Sequence, residues 1–124
     1  MTRKEQYNQL ILQIAGLIKD ETNLVGILAN VSAALHDAFP ERFFWVGFYL
    51  QENGNMLRLG PFQGSVACYV IPFGKGVCGK AWEEERTLIV PDVEKFPGHI
   101  ACSSLSRSEI VVPMYDDSHT FRGV

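Results

Sequence analysis

The sequence predicts an α+β domain, and three observations carry that expectation. Residues 3–38 hold two stretches with apolar residues at helical spacing. Residues 43–50 then switch to the period of two that suits a strand, followed by an Asn-Gly turn signal. A loop-rich region and further short strand-like runs complete the chain, so helices and strands are segregated rather than alternating. At 124 residues, 47% hydrophobic and 20% charged, the chain suits one globular domain spanning 1–124, with helices at about 3–38 and the sheet and site-bearing loops at about 43–124. A formal charge of −3 without a Lys/Arg cluster argues against nucleic acid as a partner. No apolar run approaches a membrane span and the start lacks signal-peptide order, so a cytoplasmic location is expected, where thiols stay reduced unless they turn over.

Thr2 and Glu5 have the spacing of a capping box for the first helix. Tyr7, Leu10, Ile11, Ile14, Leu17 and Ile18 then form its apolar stripe. Asp20 or Thr22 is placed to cap the second helix, whose expected buried face is Leu24, Ile27, Leu28, Val31 and Leu35, and Pro40 ends it. Phe43–Leu50 reads as a strand. Alternation puts Phe44, Val46, Phe48 and Leu50 on one face and Trp45, Gly47 and Tyr49 on the other. The second face has two aromatics flanking a glycine gap, a shape that suits a pocket floor or a filled core, the latter being the commoner use of such residues. Asn53-Gly54 turns the chain into a strand from Met56 to Leu59, which Gly60-Pro61-Phe62-Gln63-Gly64 is expected to break. A third strand is expected over about Ala67–Ile71, carrying Cys68, and a short helix over Val77–Glu85 with Cys78 in its first turn. Leu88–Val90 is extended, Pro91–Arg107 is irregular, Glu109–Met114 is a strand, and Asp116-Asp117 turns the chain into a final strand at its end.

All three cysteines, Cys68, Cys78 and Cys102, lie in this second half. An odd count fits a static disulfide framework poorly. Three uses remain open on residues alone. Inert buried thiols are the plain reading. With His99 the three could make a zinc site, but Cys78 follows Cys68 by 10 residues and Cys102 follows Cys78 by 24, without the close ligand pairs of structural zinc. Redox chemistry is favoured by Cys102 in a polar loop beside Ser103 and Ser104. It is also favoured by Cys78 at a helix start, whose partial positive charge lowers a thiol pKa. Cys68 is then a possible resolving thiol, and spacing does not say which thiol attacks. Gly74-Lys75-Gly76-Val77-Cys78-Gly79 also matches G-x-G-x-x-G, but the helix after it is too short for a dinucleotide site.

The motifs WVGFY (Trp45–Tyr49), LGPFQG (Leu59–Gly64), Ala67-Cys68, GKGVCG (Gly74–Gly79), VPDV (Val90–Val93), FPGHIAC (Phe96–Cys102) and SEIVVP (Ser108–Pro113) follow one another in order. In this the sequence resembles the GAF-domain free methionine-(R)-sulfoxide reductases. The resemblance implies a six-stranded antiparallel sheet with helices on one face and a ligand pocket on the other. It implies Cys102 as nucleophile, Cys68 as resolving thiol, Cys78 as an accessory thiol and Glu109 as the acid beside the substrate, with Trp45 and Tyr49 lining the pocket. The implied substrate is free L-methionine-(R)-sulfoxide. No metal or bound cofactor is implied, and thioredoxin or another dithiol is the reductant. The alternative is a GAF-type small-molecule-binding or redox-sensing module without turnover.

Two departures stand out. Ser103 follows Cys102 where the family often has an acidic residue, and the family's acidic last strand and C-terminal helix have no counterpart after Val124. On that basis the chain is expected to expose apolar surface on its first helix, to be capable of forming a homodimer, and to turn over weakly or not at all.

Overall fold

The structure is a computed structural model that describes residues 1–100 and 107–124. Its elements are α1 (Arg3–Ile18), α2 (Leu24–Ala38), β1 (Val46–Glu52), β2 (Met56–Gln63), β3 (Val70–Pro72), α3 (Gly76–Glu84), β4 (Leu88–Val90), a 3-10 turn (Val93–Lys95), β5 (Glu109–Val111), β6 (Met114–Tyr115) and β7 (Phe121–Gly123). The α+β expectation holds. Among the described residues the strands form a five-stranded sheet in the order β3-β2-β1-β7-β6 and a separate pair β4-β5, rather than one sheet of six. The chain divides into two compact units, Met1–Gly47 with Gly60–Gly64, and Phe48–Leu59 with Ser65–Val124.

In the first unit, Thr2 caps α1 by accepting a hydrogen bond from the Glu5 N–H at 3.1 Å. The expected α1 stripe is mostly open: Leu10 is buried, but Ile11 and Leu17 are 64% and 48% exposed. The expected cap of α2 is absent. Asn23 holds the N-cap position without a side-chain bond, and the Glu21 carboxylate accepts from the Thr22 and Asn23 N–H groups at 3.0 Å each. Those two amides precede the first helical residue, Leu24, so Glu21 fixes the turn that leads into α2 while the helix itself has no side-chain cap. Leu28 is buried as expected and Leu24 is exposed. Ser32, fully buried, returns its hydroxyl to the Leu28 carbonyl at 2.8 Å.

In the second unit, Asn53 and Gly54 both take positive φ (53° and 85°) in the tight three-residue turn, 53–55, between β1 and β2. Instead of breaking at Gly60-Pro61, β2 continues to Gln63. The reason is local. The ladder with β3 pairs Met56, Leu57 and Arg58 with Pro72, Ile71 and Val70, and ends with the Leu59 N–H on the Tyr69 carbonyl. Pro61, lying beyond it, therefore forfeits no bond to that neighbour. The third strand is shorter than expected, so Cys68 sits two residues before it in irregular backbone. The expected strand over Glu109–Met114 is two strands in two sheets: β5 pairs with β4, and β6 with β7. Pro113, lacking an N–H, separates them.

Candidate active site

Tyr49 is buried on β1, and β7 holds its backbone: the Tyr49 N–H donates to the Val124 carbonyl at 3.0 Å and the Val124 N–H returns at 2.9 Å. This approach requires glycine at 123, where a Cβ would lie 2.3 Å from the Tyr49 carbonyl oxygen. The Tyr49 hydroxyl donates to the Cys68 carbonyl at 2.8 Å, fixing the irregular segment that carries this cysteine. Cys68 is disulfide-bonded, whereas Cys78 is a free thiol.

Cys78 occupies the first turn of α3, as expected. That helix lies against β3, β4 and β5. Its Trp82 is held by Phe73 edge-on at 4.8 Å and by Phe121 stacked at 4.7 Å. The expected depression of the Cys78 pKa is reversed. Burial, then the Glu109 carboxylate, push the thiol from 9.0 to about 12, and its own backbone N–H offsets only part of this. Desolvation of a thiolate thus outweighs the partial charge of a short helix's N-terminus. The Tyr49 hydroxyl is likewise pushed up to about 12, by burial first and then by the negative charges of Cys78 and Glu109.

Glu109 opens β5, where register places it opposite Val90. Its Oε1 lies 2.9 Å from His99 Nε2, and the two side chains are 27% and 13% exposed. His99, weighed on sequence only as a zinc ligand, therefore faces a carboxylate, and no group of three metal-ligating side chains occurs among the described residues. The signal that could have found the pair is Phe96-Pro97-Gly98-His99, a turn sequence that aims the residue after it.

Tyr49, Cys68, Cys78 and Glu109 thus belong to one compact unit. Trp45 belongs to the other, just before β1, with its ring stacked on Phe62 at 5.2 Å and 18°. The glycine gap read on that strand is filled: a Cβ at Gly47 would fall 2.3 Å from the Phe62 Cβ and 2.7 Å from the Trp45 ring. Cys102, the expected nucleophile, lies outside the described residues.

No protein-family model matches the chain, but individual proteins do. GAF domain-containing protein A of Dictyostelium discoideum is 61% identical over 114 residues, covering 92% of this chain and 71% of that protein. The free methionine-R-sulfoxide reductase of Saccharomyces cerevisiae is 44% identical over 129 residues, covering 100% of this chain and 72% of the yeast protein. Among solved structures, the free methionine-R-sulfoxide reductase of Neisseria meningitidis in complex with its substrate superimposes with a TM-score of 0.93 at 49% identity, over 99% of this chain and 72% of the other. The ordered motifs, the GAF fold and these relatives agree, and the chain belongs to the free methionine-R-sulfoxide reductases, a family of GAF-domain oxidoreductases.

Proposed function

We infer that this protein reduces free L-methionine-(R)-sulfoxide to L-methionine, with Cys102 as nucleophile and Cys68 as resolving thiol. The observation that carries the thiol assignment is the contrast between the two described cysteines. Cys68 is disulfide-bonded, while Cys78 is a free thiol pushed up to about 12. A thiol so reluctant to ionise is a poor attacking group, which supports Cys68 as the resolving partner and leaves Cys78 as an accessory thiol.

The chemistry balances without a metal. The Cys102 thiolate attacks the sulfoxide sulfur, and the sulfoxide oxygen needs a proton, a role we assign to Glu109. The S–S bond formed by that attack and the S–O bond then break as the hydroxyl passes to the Cys102 sulfur, which becomes a sulfenic acid, and the substrate leaves as methionine, reduced by two electrons. The Cys68 thiol then attacks the sulfenic sulfur, forming a disulfide, and its proton leaves with the hydroxyl as water. A thioredoxin-type dithiol in the cytoplasm returns both thiols and is itself oxidised to a disulfide. Trp45 and Tyr49 are the aromatic residues assigned to the substrate.

The test is methionine release from free methionine-(R)-sulfoxide with dithiothreitol or thioredoxin, beside the (S) epimer and a peptide-bound sulfoxide. Turnover of the free (R) form alone is expected, weak in this chain and stronger in a version extended by the family's last strand and C-terminal helix, and abolished in Cys102→Ser. Turnover that survives Cys102→Ser, or equal use of the peptide-bound form, overturns the assignment.

A further inference from the structure

His99 reaches Glu109 by a rigid route. The His99 N–H closes a turn on the Phe96 carbonyl at 3.2 Å, with Pro97 and Gly98 in its two central positions. Gly98 takes φ +76°, the value the third residue of a type II turn needs and one that L side chains rarely adopt. Upstream, the Val93 N–H donates to the Arg107 carbonyl at 2.9 Å, closing the base of the loop onto the approach to β5. Downstream, Ile100 packs where a Cβ at Gly76 would sit 3.1 Å away, at the start of the helix that bears Cys78. The backbone that carries His99 is thus fixed by the turn before it and by the packing of Ile100 after it.

Glu109 is held in the same way at its backbone, by the β4–β5 ladder. Its side chain has several rotatable bonds, and ladder pairing does not choose among their rotamers. The His99 contact at Oε1 does choose one.

We propose that His99 is a positioning residue, holding the Glu109 carboxyl by Oε1 through its Nε2–H so that Oε2 faces the leaving oxygen. The inference rests on Glu109 being the proton donor of the reaction inferred above. With the Glu109 proton on Oε2, Oε1 is the carbonyl acceptor, so His99 Nε2 is the protonated ring nitrogen and the donor, and it remains so when both oxygens become acceptors after the proton is given. The proton leaves Oε2 for the sulfoxide oxygen, the carboxylate forms, and the His99 N–H is already in place to stabilise its charge. No proton passes through the imidazole in this scheme.

The test combines turnover with a readout that does not need turnover. His99→Leu is expected to lower kcat by about ten- to a hundredfold, the size that orienting partners of a reacting group carry, with KM moving little. His99→Gln, whose amide nitrogen reaches close to the Nε2 position, should restore most of the loss. Adding His99→Leu to Glu109→Gln should cost little beyond Glu109→Gln alone, because both changes disable one unit. In nitrogen-edited NMR of the unmodified chain, the Nε2 proton of His99 should appear as a protected downfield resonance and should shift or vanish in Glu109→Gln.

Additive losses in the double variant, equal losses in the Gln and Leu variants, or an Nε2 resonance indifferent to Glu109→Gln would each overturn the proposal. Absence of turnover both in the unmodified chain and in a version extended by the family's acidic last strand and C-terminal helix would instead refute the function inferred above, while the NMR readout still decides whether His99 holds Glu109.

Discussion

The Cys78 thiol offers the most direct measurement. Moving its pKa from 9.0 to about 12 lowers the thiolate fraction about a thousandfold at any pH below 9. Because the thiolate is the reacting form, alkylation by iodoacetamide should slow by about the same factor relative to the unfolded chain at pH 8. Peptide mapping by mass spectrometry, with and without urea, isolates Cys78 from the other thiols. Limited access alone would also slow the reaction, so the pH dependence is the deciding part. The native rate should keep rising about tenfold per pH unit through pH 9 to 11, whereas the unfolded rate levels off near 9. Glu109→Gln removes the second contributor and should speed native alkylation. A native rate that levels off near pH 9, or that lies within tenfold of the unfolded rate, would refute the account of burial and charge.

Three further outcomes follow from the geometry. Between pH 9 and 12 the folded state holds protons on Cys78 and Tyr49 that the unfolded state has released. Stability is therefore complete below about pH 9 and falls as pH rises toward 12; the thermal midpoint should drop over that range, less so in Cys78→Ala, and a flat midpoint would contradict the shifts. Leu57→Ala, at a fully buried position on β2, should cost about 2–5 kcal/mol in urea unfolding, and a loss below 1 kcal/mol would mean the site collapses around the smaller residue. Gly79→Ala sets two effects against each other: alanine favours a helix by about 1 kcal/mol, but its Cβ would lie 2.6 Å from the Pro72 carbonyl oxygen and 3.0 Å from the Gly74 nitrogen. Backbone atoms cannot swing aside, so overpacking of about 1–3 kcal/mol should win, and a raised thermal midpoint would show that it does not.

Much of this protein is local, and local signals were legible. The helices follow from apolar spacing, and the Thr2 cap from a hydroxyl three residues before Glu5. The hairpin at Asn53-Gly54 follows from the two residues that best tolerate positive φ. The ordered motifs from Trp45 to Pro113 point to the family, and the fold joins two of the residues they contain, the Tyr49 hydroxyl donating to the Cys68 carbonyl.

What the chain order could not convey is the environment of each group. Cys78 sits at a helix start, and from that alone its thiol should ionise readily. Its neighbours across the fold, a carboxylate on β5 and the surrounding apolar atoms, reverse the sign. The Glu21 side chain fixes the turn ahead of α2, which has no side-chain cap, and Pro61 stayed within β2 because the strand beside it ends first. His99 and Glu109 are ten residues apart, with a turn and a strand between their roles, and only the folded backbone brings Nε2 to 2.9 Å from Oε1. Periodicity and turn chemistry act over a few residues and can be read along the chain. Desolvation and charge act through space, so tertiary structure alone decided them.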